Sequence, residues 1–185
     1  ATAGPFSASA RDRNLVTQAN GALRLVGNSN DMTVQLASTD RAGYSSNTST
    51  VVSIDKDAPI ISVTYNQTTD GFYNSDRVAT IRVEERNFDP TLVDISGVAG
   101  VLSGWTNSGG VWTATMTFAA EQEFQWGITV TDRAGNVSQS YSSESFTVDK
   151  TAPALDVTYS NNRVVNDIFY NTDQIATVRV VDRNF

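Results

Sequence analysis

The chain repeats itself, and the repeat limits what it can fold into. TDRAGY at Thr39–Tyr44 returns as TDRAGN at Thr131–Asn136, and IDKDAP at Ile54–Pro59 returns as VDKTAP at Val148–Pro153. VTYN at Val63, FYNSD at Phe72, ATIRV at Ala79 and RNF at Arg86 come back as VTYS at Val157, FYNTD at Phe169, ATVRV at Ala176 and RNF at Arg183. The offset is 92 residues between Asp40 and Asp132, 94 between Tyr65 and Tyr159 and 97 between Phe72 and Phe169, so three extra residues fall between Tyr159 and Phe169. A unit of about 94 residues is long enough to bury a core of its own.

Within the complete unit, 57–150, apolar residues alternate with polar ones. Ile61, Val63 and Tyr65 form one run; Ala79, Ile81 and Val83 a second; Val93 and Ile95 a third. Trp112, Ala114, Met116 and Phe118 follow, then Phe124, Trp126, Ile128 and Val130, then Phe146 and Val148. A period of two is that of a strand with one face in the core and one in water, and no segment carries apolar residues at helical spacing. NQTTDG, NFDP, TNSGG and RAGN between the runs supply turn residues. Six or seven short strands in about 94 residues predict an all-β chain of tandem immunoglobulin-like antiparallel β-sandwiches. Residues 1–56 are expected to hold the last strands of a partial or trimmed repeat, with Met32, Val34 and Leu36 standing where Phe124, Trp126 and Ile128 stand. Residues 151–185 repeat only the first two strands. SARDRNL, near the start, reads either as a version of RVEERNF in a copy 19 residues shorter or as an unrelated strand over Phe6–Arg11.

Composition removes several kinds of function. A net charge of −7, with two lysines among thirteen basic residues, argues against a nucleic-acid partner, which needs clustered Lys and Arg. Without Cys or His there is no thiol nucleophile, no Ser-His-Asp triad, no usual zinc ligand set and no disulfide. Glu84 and Glu85 are adjacent on a strand and face opposite ways, so they cannot serve as a glycosidase pair. A turn bond or ion pair is the preferred reading of Glu85 and of its counterpart Asp182. No nucleophile, base and orienter can be assembled, and the chain is expected not to be an enzyme.

VDKTAP, VTDRAGN and EERNF resemble the tandem bacterial immunoglobulin-like (BIg-type) repeats of large cell-surface and adhesin-type proteins. The resemblance covers nearly the whole chain, with DKDAP and DRAGY as departures in the first linker and turn. It implies an extracellular or cell-surface location, with targeting and anchor segments outside this sequence. It also implies a stalk or adhesion module, whose partners are neighbouring repeats and a host or cell-surface glycan or protein ligand. The alternative is a carbohydrate-binding accessory module of a secreted multidomain enzyme. Pro59 and Pro153 suit such linkers, because a fixed φ stiffens the chain where no ladder bond is lost.

Calcium at the junctions is the sharpest site the resemblance suggests, since Ca²⁺ takes six to eight oxygen ligands. The expected ligands are Asp132 and Asp149 at one junction, Asp40 and Asp55 at the other, and Asp57 as an extra carboxylate. The plainer reading is that these aspartates cap turns. Lys56 and Lys150 occupy equivalent linker positions and read as solvated lysines rather than cross-linking residues. Trp112 and Trp126 read as core; Trp105, beside turn residues, is the candidate glycan contact, with packing as its other reading. The chain stops at VVDRNF, inside a third copy. It is expected either to be a window on a longer array or to be completed by strands of another molecule in head-to-tail complementation.

Overall fold

The computed structural model describes residues 6–10, 15–17, 23–66, 71–160 and 169–185. The chain is nearly all β. The leading strands are β1 (Phe6–Ala10), β2 (Leu15–Thr17), β3 (Leu23–Leu25), β4 (Ser29–Thr39) and β5 (Ser45–Ile54). They form a three-stranded antiparallel sheet, β1-β4-β5, and a separate β2-β3 hairpin. Met32 and Val34 of β4 are buried, as their alternation requires. Phe6–Ala10 pairs antiparallel with β4, from Phe6 opposite Ser38 to Ala10 opposite Val34; Arg11–Asn14 lie outside the described residues.

The central strands are β6 (Ile60–Tyr65), β7 (Phe72–Tyr73), β8 (Arg77–Glu84), β9 (Val93–Val98), β10 (Val101–Leu102), β11 (Thr106–Ser108), β12 (Val111–Phe118), β13 (Glu123–Val130), β14 (Tyr141–Ser142) and β15 (Phe146–Val148). One sheet runs β6-β8-β12-β10, with β11 also on β12. In the other, β13 is flanked by β9 on one side and by β14 and β15 on the other, and β7 adds to β15 in parallel. The two sheets face each other as a sandwich, with the strand order of an immunoglobulin-type domain.

Their inner faces are the residues singled out by alternation. Ala79, Ile81 and Val83 meet Met116 and Phe118, and across the sandwich stand Phe124, Trp126, Ile128, Val130, Phe146 and Val148, all buried. Aromatic rings fill the centre edge to face: Phe118 lies 4.9 Å from Phe146 and 5.1 Å from Phe124, centroid to centroid. The buried indole of Trp126 donates Nε1–H to the Tyr65 hydroxyl at 3.0 Å, so its polar edge is satisfied inside the core. Ile61, Val63, Val93 and Ile95 pack on the rim, half-buried. The very short strands β7, β10, β11 and β14 carry too few residues to show a period, and alternation does not reveal them.

The last strands, β16 (Ala154–Tyr159) and β17 (Ala176–Val181), pair in the register of β6 with β8: Val157 is opposite Val178 as Val63 is opposite Ile81. Their equivalent face is uncovered, with Leu155 68% and Val178 59% exposed. Among the described residues no helix is long and apolar enough to cross a membrane.

Candidate functional site

Three carboxylates converge where the leading segment meets the central sandwich. Ligand oxygens of Asp55, Glu85 and Asp132 all lie within 4.8 Å of one another, with Glu85 and Asp132 buried and Asp55 partly so. Each arrives from a different element. Asp55 follows β5, Glu85 follows β8 and Asp132 follows β13.

Local sequence fixes each one. Asp132 opens a turn in which Gly135 sits at φ +90°, a conformation that costs glycine nothing. Its Oδ1 accepts the Ala134 and Asn136 N–H groups, both at 2.8 Å, and its main chain pairs with Asn136 and Gly135. Asp40 caps its own turn in the same way, accepting Ala42 and Tyr44 N–H at 2.9 Å, with Gly43 at φ +90°. Glu85 continues the inward positions of Ala79, Ile81 and Val83, so period two carries its carboxylate to the end of the core. Its Oε1 accepts the Asn87 N–H at 2.6 Å.

Asparagines and one arginine tie the cluster together. Asn136 donates from Nδ2 to Asp132 Oδ2 at 2.8 Å and to the Asp55 carbonyl at 3.2 Å, joining turn to linker. Asn87 donates to Asp55 Oδ2 and exchanges amide hydrogen bonds with Asn30 of β4, one of them at 2.5 Å. The β-bulge between Ser29 and Met32, where Asp31 takes φ +53°, lies in the strand segment that carries Asn30. Arg86 Nη2 stands 3.3 Å from Asp55 Oδ2.

The electrostatics are uneven. Burial pushes the Glu85 carboxyl above its usual range, and repulsion from Asp55 and Asp132 adds to it, against the Asn87 and Arg86 N–H groups. For Asp55, burial acts upward too, but the Asp57 N–H, the Asn87 amide and Arg86 outweigh it and hold its carboxyl below the usual range. Three carboxylates against one guanidinium leave excess negative charge.

The structure pairs the sequence-selected aspartates differently from the expectation. Asp132 and Asp149 do not share a junction. They flank β13 and β15, which run antiparallel, with Val148 N–H on the Gln122 carbonyl, so Asp149 lies near the start of β13 and Asp132 just past its end. At about 3.4 Å per residue the two are roughly 30 Å apart. Asp132 instead meets Asp55 of the preceding linker. Asp40 is exposed in its own turn and is not part of the cluster. Asp57 is also outside it, offering its N–H to Asp55 at 3.2 Å and its carboxylate to Asn28. Asp149 takes the corresponding role at the next linker: Asn184 donates to it as Asn87 does to Asp55, and Asn184 N–H binds Asp182 Oδ1 at 2.7 Å, as Asn87 N–H binds Glu85. Arg86 and Asn87 were legible as the repeated RNF motif; their contact with Asp55 was not.

Trp105 is partly buried, its ring 4.9 Å from Phe88, which also packs on Trp112 at 4.9 Å. Lys150 is held by Asp76 at 2.6 Å and by the Ala119 carbonyl at 2.6 Å, whereas Lys56 is exposed. The chain matches no protein-family model, and no characterised protein is significantly similar to it.

The donor set suits a hard cation. All three charged groups offer oxygen and there is no nitrogen or sulfur ligand, a chemistry that favours Ca²⁺ over zinc or copper. Each carboxylate oxygen that accepts an N–H keeps a second lone pair. Asp55, Glu85 and Asp132 are the residues that would hold such an ion.

Proposed function

We propose that this chain is a non-catalytic segment of a bacterial surface or secreted multidomain protein, in which tandem immunoglobulin-like repeats form a stalk or adhesion module. One observation carries the reading. At both linkers an aspartate, Asp55 or Asp149, is bound by the asparagine of the RNF motif that follows it, Asn87 or Asn184. Two linkers held in the same way have little slack, and a succession of such linkers makes a rod. At the first junction Asn136 and the Asn30–Asn87 pair add further ties. Bound calcium would supply the positive charge that Arg86 alone does not, and would stiffen the junction further.

The test uses the absence of cysteine, which makes labelling unambiguous. Spin labels at the exposed Ser49 and Thr115, one on each side of the junction, report a distance distribution by pulsed electron resonance. A narrow distribution that broadens in Asn87→Ala supports a rigid junction, and one already broad in the parent chain overturns it. Calcium is expected to narrow the distribution and raise Tm, with both effects lost in Glu85→Gln. Identical melting in calcium and in chelator would remove the ion from the reading.

A further inference from the structure

At the other end of the sandwich, Arg77 opens β8 opposite Phe118, and its side chain makes no hydrogen bond or ion pair among the described residues. Its guanidinium carbon lies 3.8 Å from the centroid of Tyr65 and 4.3 Å from those of Tyr73 and Phe146. Its Nε is buried and makes no hydrogen bond. The rings are themselves fixed: Tyr73 meets Phe146 edge to face at 5.9 Å, and the Tyr65 hydroxyl is shared with the Trp126 indole and the Tyr141 hydroxyl. Rings against a planar cation hold it by its faces and leave the N–H edge for an acceptor.

These residues line a cavity of about 490 Å³ that is also bounded by the stretch Tyr141–Phe146. That size lies within the roughly 300–1,000 Å³ of small-molecule sites. Its wall combines Arg77 with Ser142, Glu144 and Ser145, the last of which donates its hydroxyl to Glu123 Oε1. The repeat adds an independent observation. Tyr65 and Tyr73 recur as Tyr159 and Tyr170, but Arg77 is replaced by Gln174. The aromatic residues therefore recur without a cation beside them in the sequence.

We propose that this cavity binds a hexuronate, as one residue of an acidic glycan. The carboxylate sits across the two Nη groups of Arg77, Nε being closed off, in a paired geometry that a guanidinium favours. The sugar hydroxyls donate to Glu144 and to the Ser145 oxygen, and exchange hydrogen bonds with Ser142. Glu144 disfavours a bare anion and favours one that brings hydroxyl donors, which separates a uronate from a simple carboxylate. The site is distinct from Trp105 and does not depend on the stalk reading.

The test titrates the isotope-labelled full chain with glucuronate, glucose and acetate and follows the backbone amides. Glucuronate is expected to shift Gly71 and Ser142–Ser145 saturably, with glucose and acetate about tenfold weaker or more. Arg77→Gln, which introduces the residue found at the equivalent position 174, should abolish the glucuronate response while leaving the remaining amide shifts in place. Glu144→Gln, on the exposed loop, should weaken glucuronate while strengthening acetate, and keeps the test alive should Arg77→Gln disturb folding. No saturable shift with glucuronate, an equal response to glucose, or undiminished binding in Arg77→Gln would overturn the proposal.

Discussion

Glu85 is the residue on which the first junction turns. Its carboxyl is raised above the usual 4.5, so between 4.5 and its folded value the native chain binds more protons than the unfolded one. Stability therefore rises as pH falls through that window. Asp55 acts in the opposite sense. Its carboxyl is lowered below the usual 3.8, and the stabilisation it gives above 3.8 is lost as pH falls through its folded value. Without divalent cations, thermal melting should show greatest stability in the weakly acidic range. Glu85→Gln should remove the gain above 4.5, keep the loss below 3.8, and raise Tm at neutral pH by a few degrees; about 1 kcal/mol moves a domain of this size by roughly 4–8 °C. The same substitution should abolish any stabilisation by calcium. A lower Tm at neutral pH in cation-free buffer would show that Glu85 is held by attraction rather than strained by repulsion.

Among the elements, the pairing of β9 with β13 depends on a close approach that no side chain permits. Gly97, opposite Trp126, takes φ +75°, and a Cβ there would stand 2.3 Å from the Gln125 carbonyl oxygen. Gly97→Ala would combine a strained backbone with overpacking against main chain, a cost of about 2–5 kcal/mol in denaturant unfolding. Gly109→Ala, in a turn with open space around it, isolates the backbone part of that cost and should be milder. Equal losses at the two positions would mean that the contact with Gln125 contributes nothing. Alternation predicted the long strands β8, β12 and β13 because each shows a full period of inward residues. It gave no sign of the glycine contact or of the two-residue strands, which are set by partners across the sheet.

Across the whole molecule, the β16-β17 hairpin presents the face that its counterparts β6 and β8 bury. Val157, Val178 and Tyr159 are exposed where Val63, Ile81 and Tyr65 are covered by the facing sheet. An uncovered face of this kind, beside free strand edges, promotes association. A polypeptide of this sequence is therefore expected to self-associate through that face at high concentration. Light scattering should then show a mass that grows with concentration, and Val178→Lys, on a position already exposed, should suppress that growth without lowering Tm. A mass that stays monomeric at high concentration would reject the association.

The sequence by itself determined the strand-forming pattern, the length of the repeat, the inward residues of the sandwich and the turns capped by Asp40 and Asp132. All of these are local: a period of two, a glycine free to take positive φ, and a short side chain that reaches its own backbone. It also carried Glu85 to the core end, through the same period. Tertiary structure alone decided which acidic groups meet. Asp55 and Asp132 stand 77 residues apart in sequence and come within 4.8 Å because one leaves a linker and the other follows a strand at the same pole of the sandwich. Asp132 and Asp149, only 17 residues apart, are separated because β14 and β15, the strands between them, run back along β13 to the opposite pole. Sequence spacing measures distance along the chain, whereas the direction of each strand decides distance in space.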